Sequence, residues 1–212
     1  PFIQIHGKPI IEWVVKMFSE SCDKIVFVCR QDHLDELLYV SEELSRIAPS
    51  AKIIGVSDWI KMGPANDVLN ICDLIDNEPT LVSYCDYYMH WDYSLFKNEV
   101  TKHKYDGAIP CYTGFHPHLL PENNVYATCK IDEANLLIEI REKFSWHGDK
   151  KKDVTSPGLY YFRNLDLLKD SCTKMIEKGD SVGGEYYMSL PFNYMAESGL
   201  KVWCPSIVES FC

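Results

Sequence analysis

No run of about 18 apolar residues occurs in the chain, so no membrane-spanning helix and no membrane partner are expected. No Cys-x-x-Cys pair occurs among the nine cysteines either. Their odd number and their places in apolar runs (Cys29, Cys85, Cys111, Cys129, Cys204) fit reduced core residues better than a zinc or redox framework. Positive charge is in short supply, with 21 bases against 31 acids and a net charge of -10. A field of that sign repels polyanions, which argues against a nucleic-acid partner. A small phosphorylated ligand stays compatible with it, because backbone donors and a metal act locally. Internal repeats, low-complexity segments and a signal peptide are all missing, and a cytoplasmic protein is the expectation. The chain opens at Pro1 in mid-motif without an initiator Met, so it is expected to be one domain over 1–212, truncated at its N-terminus and at its C-terminus.

What is present is an alternation of strand and helix signals. Apolar residues at Ile10, Ile11, Val14, Val15 and Phe18 have helical spacing, with Pro9 in the first turn. Residues 24–29 form a short apolar strand, followed by a helix over 34–44 that Asp32 would cap. Strands at 51–56, 80–85 and 107–112 then alternate with helices at 64–72 and 93–103. That order predicts an α/β fold, a doubly wound, mostly parallel sheet in a three-layer sandwich. After Tyr112 a β pair, 125–131 and 136–142 around a polar turn, predicts a small β-rich lobe. A strand at 158–162, helices at 165–178 and 185–198 and a strand at 201–204 follow, and Lys150 to Lys152 read as a solvated turn.

Several residues could carry chemistry. Asp86 follows the strand over 80–85 among Tyr84, Tyr87, Tyr88, Trp91 and Tyr93, at the strand end where ligands collect in α/β sheets. A carboxylate there suits a hard divalent cation that also carries phosphate oxygens; the plainer role is to cap the next turn. The aromatic residues around it are those of packing under a sheet edge, with some of them on a pocket wall. Gly63-Pro64-Ala65-Asn66-Asp67 opens a helix, where free N–H groups and a residue without a side chain coincide. Alone, that segment is equally a Gly-Pro turn. Glu185, after Gly183-Gly184 at an expected helix start, is either a metal ligand or a favourable first-turn charge. His116-Pro-His118 has no further ligands in register and reads as a loop.

Taken together, Ile3-Gln-Ile-His-Gly-Lys-Pro-Ile-Ile-Glu-Trp-Val14, Gly63-Pro-Ala65, Asp86, Ile138-Glu-Ile-Arg-Glu-Lys143 and Pro157-Gly-Leu-Tyr-Tyr-Phe162 resemble the sugar-phosphate nucleotidyltransferases, across nearly the whole chain. The resemblance is closest to the capsular-polysaccharide branch, which includes CTP-dependent cytidylyltransferases. It implies a GT-A-like fold and the joining of a nucleoside triphosphate, with CTP the suggested one, to a phosphorylated acceptor with release of pyrophosphate. It makes Gly63, Pro64 and Ala65 part of a nucleotide-binding loop and Asp86 the Mg²⁺ ligand and catalytic centre. It sets the acceptor against Glu142, Lys143, Ser156 and Gly158, with Gly158 letting that acceptor approach the backbone. Departures are visible too. Phe144 follows Glu142-Lys143 where the family has Pro, and Ser156 stands in place of an Asn, which sets the acceptor apart from an ordinary hexose phosphate. The late second metal acid is replaced by Ser189 and Leu190, which leaves Glu185 or Asn193 to serve, or no second contact. The family's glycine-rich phosphate loop and a Lys ahead of Pro1 are not in the sequence, and the chain as it stands is expected to be poorly active.

The implied mechanism is in-line attack of an acceptor phosphate oxygen on the α-phosphorus. That oxygen is already ionised at neutral pH, so positioning and charge stabilisation suffice without a general base. Two other readings share the same sheet: a GT-A glycosyltransferase consuming a nucleotide sugar, and a non-catalytic nucleotide-binding domain. Against the first, no Asp-x-Asp triplet follows the central strand.

Overall fold

The computed structural model of the protein describes residues 1–18, 24–57, 62–116, 119–120, 122 and 124–211. The chain runs β1 (Gln4–Ile5), β2 (Lys8–Pro9), α1 (Ile10–Lys16), β3 (Val26–Arg30), α2 (Gln31–Glu36), α3 (Leu38–Ile47), β4 (Lys52–Val56), α4 (Pro64–Ile71), β5 (Thr80–Ser83), β6 (Met89–His90) and α5 (Tyr93–His103). It continues through β7 (Gly107–Ala108), β8 (Thr128–Ile131), β9 (Leu137–Arg141), β10 (Val154–Thr155), β11 (Leu159–Phe162), α6 (Leu165–Lys178), α7 (Pro191–Glu197), β12 (Val202–Trp203) and β13 (Ser210–Phe211).

A four-stranded sheet in the order β12-β7-β11-β5 forms the centre. The pairs β12/β7 and β3/β4 are parallel, whereas β11 runs antiparallel to both β7 and β5. The α/β class is therefore as the alternation predicts, with β11 as the inverted strand. Antiparallel β10-β8-β9 makes the expected lobe.

Side-chain alternation along β11 divides the core into two layers. Tyr160 and Phe162 point to a cluster with Leu165, Leu168, Cys172 and Met175 of α6 and Phe192 and Met195 of α7. Leu159 and Tyr161 point the opposite way, to Ile11 and Val14 of α1, Leu44 of α3 and Phe96 and Val100 of α5. Close approach makes Gly107 necessary: a Cβ there would stand 2.9 Å from Cε1 of Phe192, so α7 lies directly on β7. Cys111, Cys129 and Cys204 meet in the first cluster where the central sheet joins the lobe, all three buried, with the Sγ atoms of Cys111 and Cys129 4.0 Å apart.

Two helices follow their sequence signals closely. In α5 the side chain of Asp92 accepts from the Leu95 N–H at 2.8 Å, and in α6 that of Asn164 accepts from Leu167 at 3.0 Å. Gly179 closes α6 at φ 70, its N–H bonding the Ile176 carbonyl while the Asp180 N–H reaches Met175.

Elsewhere the structure corrects the expectations. The helix expected over 34–44 is two helices broken at Leu37 (φ -121, ψ 75), and Asp32 does not cap it; its carboxylate pairs with Arg30 and accepts from the His33 N–H. The helix expected over 185–198 begins only at Pro191, because Val182 and Glu185 exchange backbone hydrogen bonds in a tight turn. Glu185 therefore stands in that turn and not at a helix start. His116 is buried against the Tyr112 ring at 4.4 Å, while His118 lies outside the described residues. Residues Lys150–Lys152 form a short surface turn capped by Asp149.

Candidate functional site at the carboxyl end of β5

Tyr84, Cys85 and Asp86 leave β5 as its carboxyl end meets the turn into β11, where the Tyr84 N–H donates to the Gly158 carbonyl at 3.3 Å. Asp86 is exposed and makes no ion pair with any described residue. Its charge reaches inward nonetheless. The Cys85 thiol is pushed up first by desolvation and then by the Asp86 carboxylate. The Tyr126 hydroxyl, from the segment entering β8, is likewise raised by burial and then by Asp86.

Glu142 follows β9 and turns inward. Burial raises its carboxyl above the ordinary 4.5, opposed by the Ser189 hydroxyl, which donates to its Oε1, and by Lys143. Lys143 takes a left-handed backbone (φ 54) that its N–H fixes by donating to the Tyr126 carbonyl at 3.0 Å. Its ammonium lies 5.3 Å from the centre of the Tyr187 ring and within the field of Glu142 and Glu185.

Tyr84 feels both acids. Its phenol is pushed up by burial first, then by the charges of Glu142, Tyr187 and Asp86. The Gly63 loop reaches the same cluster through the chain at 186–187. Gly63 has φ 93, and a Cβ on it would stand 2.6 Å from the Tyr186 nitrogen. The Tyr186 N–H donates to the Met62 carbonyl at 2.7 Å, and the Ala65 N–H donates to the Tyr186 carbonyl at 3.0 Å. The free N–H groups expected at this helix start are not found at residues 64–67: Pro64 has none, Ala65 spends its donor on Tyr186, and the Asn66 and Asp67 N–H groups donate to the Gly63 carbonyl at 3.1 and 3.4 Å. Pro64 opens α4 as its first residue.

Two residues prove to be structural at the atoms in question. Ser156 is 2% exposed, and its hydroxyl donates to the Tyr160 hydroxyl at 3.3 Å and accepts from the Gly158 N–H at 3.2 Å. It holds the Gly158 turn with that hydroxyl. Asn193 is not available for a metal, because its carboxamide is bonded to the Ile140 backbone at both ends. Sequence reasoning missed Tyr84 as the link between the acids, and it met Ser189 only as a departure. A hydroxyl residue in place of an acid, near an inward Glu, was the available signal. A concavity of about 560 Å³ has Glu142, Arg141, Asp180 and Tyr194 on its wall but neither Asp86 nor Gly63. It lies between β9 and α7 and shares only Glu142 with the residues grouped around Tyr84.

A mixed α/β sheet with a carboxylate free at one strand end, and a glycine-opened helix clasped nearby, defines a nucleotide-handling class of site. The chain belongs to the MobA-like NTP transferase domain family, whose model matches residues 1–143. Among solved structures it is similar to the nucleoside-diphosphate-sugar pyrophosphorylase of Vibrio cholerae, with TM-score 0.71 and 16% identity over 95% of this chain and 81% of that one. The inositol-1-phosphate CTP transferase of T. maritima gives 0.68 and 11% over 95% and 74%. HddC from Yersinia pseudotuberculosis gives 0.60 and 16% over 100% and 82%. Identities this low establish a shared fold, while the family match establishes the nucleotidyltransferase class. No curated protein matches the chain.

Proposed function

We propose that the chain transfers a nucleoside monophosphate from an NTP, with CTP the first to test, to a phosphorylated sugar or sugar-like acceptor, releasing pyrophosphate for surface-polysaccharide precursors. The observation that carries this is the position of Asp86, exposed at the carboxyl end of β5 without an ion pair among the described residues, where ligands collect in α/β sheets.

Asp86 suits the cation of such a reaction because it is exposed and unpaired, leaving its lone pairs free. Glu185, exposed in its turn, is the second candidate ligand; one or two carboxylates with water and phosphate oxygens satisfy Mg²⁺. Among the described residues no group of three or more His, Cys, Asp or Glu side chains forms a metal cage. Bound there, Mg²⁺ would supply positive charge to the triphosphate. Asp86 holds charge and takes no proton. Glu142 accepts hydrogen bonds from the acceptor's hydroxyls, while Lys143 balances the phosphate beside it. Gly63 to Ala65 set the nucleotide against the start of α4. The attacking phosphate oxygen is ionised already, so these residues act by orientation and field.

Among the described residues no helix is long and apolar enough to cross a membrane. The test is a pyrophosphate-release screen of the full-length protein, four NTPs against a panel of phosphorylated acceptors. Pyrophosphate from one pairing supports the reading; release of a nucleoside diphosphate from a nucleotide sugar, or no turnover at all, overturns it.

A further inference from the structure

Gly158 enters β11 with φ 101, and the direction a side chain would take is already filled. A Cβ there would stand 2.6 Å from Cδ2 of Tyr84 and 3.3 Å from its Cε2, so the phenol ring occupies the space a side chain would need. The ring is fixed on its other sides. It meets Tyr160 edge-on at 6.2 Å between centroids and packs between both core layers. Its hydroxyl lies beside the Met188 backbone, buried and without a completed hydrogen bond. A buried hydroxyl left so costs about 1–3 kcal/mol, so stability alone does not explain a Tyr here. Ser156 adds to the closure: its hydroxyl grips the Gly158 N–H from below and offers nothing to a ligand.

We infer that Tyr84 is the specificity-determining residue of the acceptor side: its ring fills the volume over Gly158, next to Glu142, and restricts the acceptor to phosphorylated acyclic alcohols, excluding hexose phosphates. This rests on the transferase reading above. A phenol ring and a hexopyranose ring have similar breadth, so the same space does not hold both. A short polyol phosphate is narrower than that ring, so its hydroxyls would reach Glu142 without displacing it.

The experiment compares glycerol 3-phosphate with glucose 1-phosphate in the wild type, Tyr84→Ala, Tyr84→Leu and Tyr84→Phe. Two readouts are used: pyrophosphate release with each NTP, and saturation-transfer NMR of each phosphate without nucleotide. The wild type and Tyr84→Phe should favour glycerol 3-phosphate by at least about tenfold, the scale set by steric discrimination in a pocket. Tyr84→Ala should erase that preference, and Tyr84→Leu, which keeps apolar packing, should reduce it if the alanine variant does not fold. Equal handling of both phosphates by the wild type, unchanged selectivity in the folded variants, or binding of neither phosphate would overturn the assignment. Shifted binding selectivity without pyrophosphate in any pairing would instead keep the size restriction and remove the transfer reaction.

Discussion

The carboxamide of Asn193 takes both backbone groups of Ile140, accepting from its N–H at 2.8 Å and donating to its carbonyl at 3.0 Å. Asn193 belongs to α7, and Ile140 to the free side of β9, so one side chain acts as a short extra strand. It closes an edge that would otherwise bury unpaired polar groups, and it fixes the strand that ends in Glu142.

Asn193→Ala should therefore cost about 1–3 kcal/mol, the scale for leaving buried partners unpaired. Asn193→Asp should cost more, since a carboxylate cannot donate to the Ile140 carbonyl. Urea midpoints of the three proteins check the order. Equal midpoints would mean that β9 is held by other contacts.

The Gly63 turn offers a second comparison. Gly63→Ala meets the Tyr186 backbone as well as an unfavourable φ of 93, whereas Gly183→Ala, at φ 63 with nothing within 4 Å, meets backbone strain alone. Strain of that kind costs about 1–2 kcal/mol, so Gly183→Ala should lower the melting temperature by a few degrees and Gly63→Ala by clearly more. A reversed order would show that the clasp to Tyr186 yields easily.

Asp86→Asn keeps the size of the side chain and removes its charge. Turnover should fall by about a hundredfold or more, while the dissociation constant of the acceptor moves little. Parallel losses in both would take Asp86 out of the reacting centre and leave it as a binding residue.

Opposite pH responses are expected from two glutamates. Glu142 has its carboxyl raised by burial, so its ionised form costs stability that disappears as pH falls through its folded value toward the ordinary 4.5. Glu142→Gln should be more stable than the wild type at pH 7, with the gap closing near pH 4.5, even as acceptor binding weakens. Glu12 is held down to about 2 by hydrogen bonds from Lys8, Lys16 and Arg46. Its contribution is complete above 4.5 and is lost as pH falls toward about 2, so Glu12→Gln should be less stable at pH 7 and lose less on acidification. Unfolding midpoints measured from pH 2 to 8 decide both.

Local signals made α5 and α6 legible to their last residues, because Asp92, Asn164 and Gly179 act within one turn of the ends they fix. The Asp86 strand end was legible for a related reason: an apolar run followed by a lone acid is a local pattern. The break at Leu37 was hidden, since its two flanking helices continue one apolar periodicity. The late start of α7 depends on the 182–185 turn and on the clasp of Tyr186 to Met62, a contact between distant parts of the chain. The contacts of Tyr84 with Gly158, Ser189 with Glu142 and Asn193 with Ile140 are of the same kind. Sequence spacing carries the layer each residue faces, not the partner it meets there.

Cys111, Cys129 and Cys204 sit where the central sheet joins the lobe, sealed from solvent. Burial pushes the thiols of Cys111 and Cys204 well up, while their hydrogen bonds hold Cys129 down to about 5, so what shields this group from an alkylating reagent in the folded molecule is its lack of access. Modification at this junction must wait for the seam to part. Its rate under native conditions is thus a built-in clock for that opening, read by mass spectrometry without any introduced label.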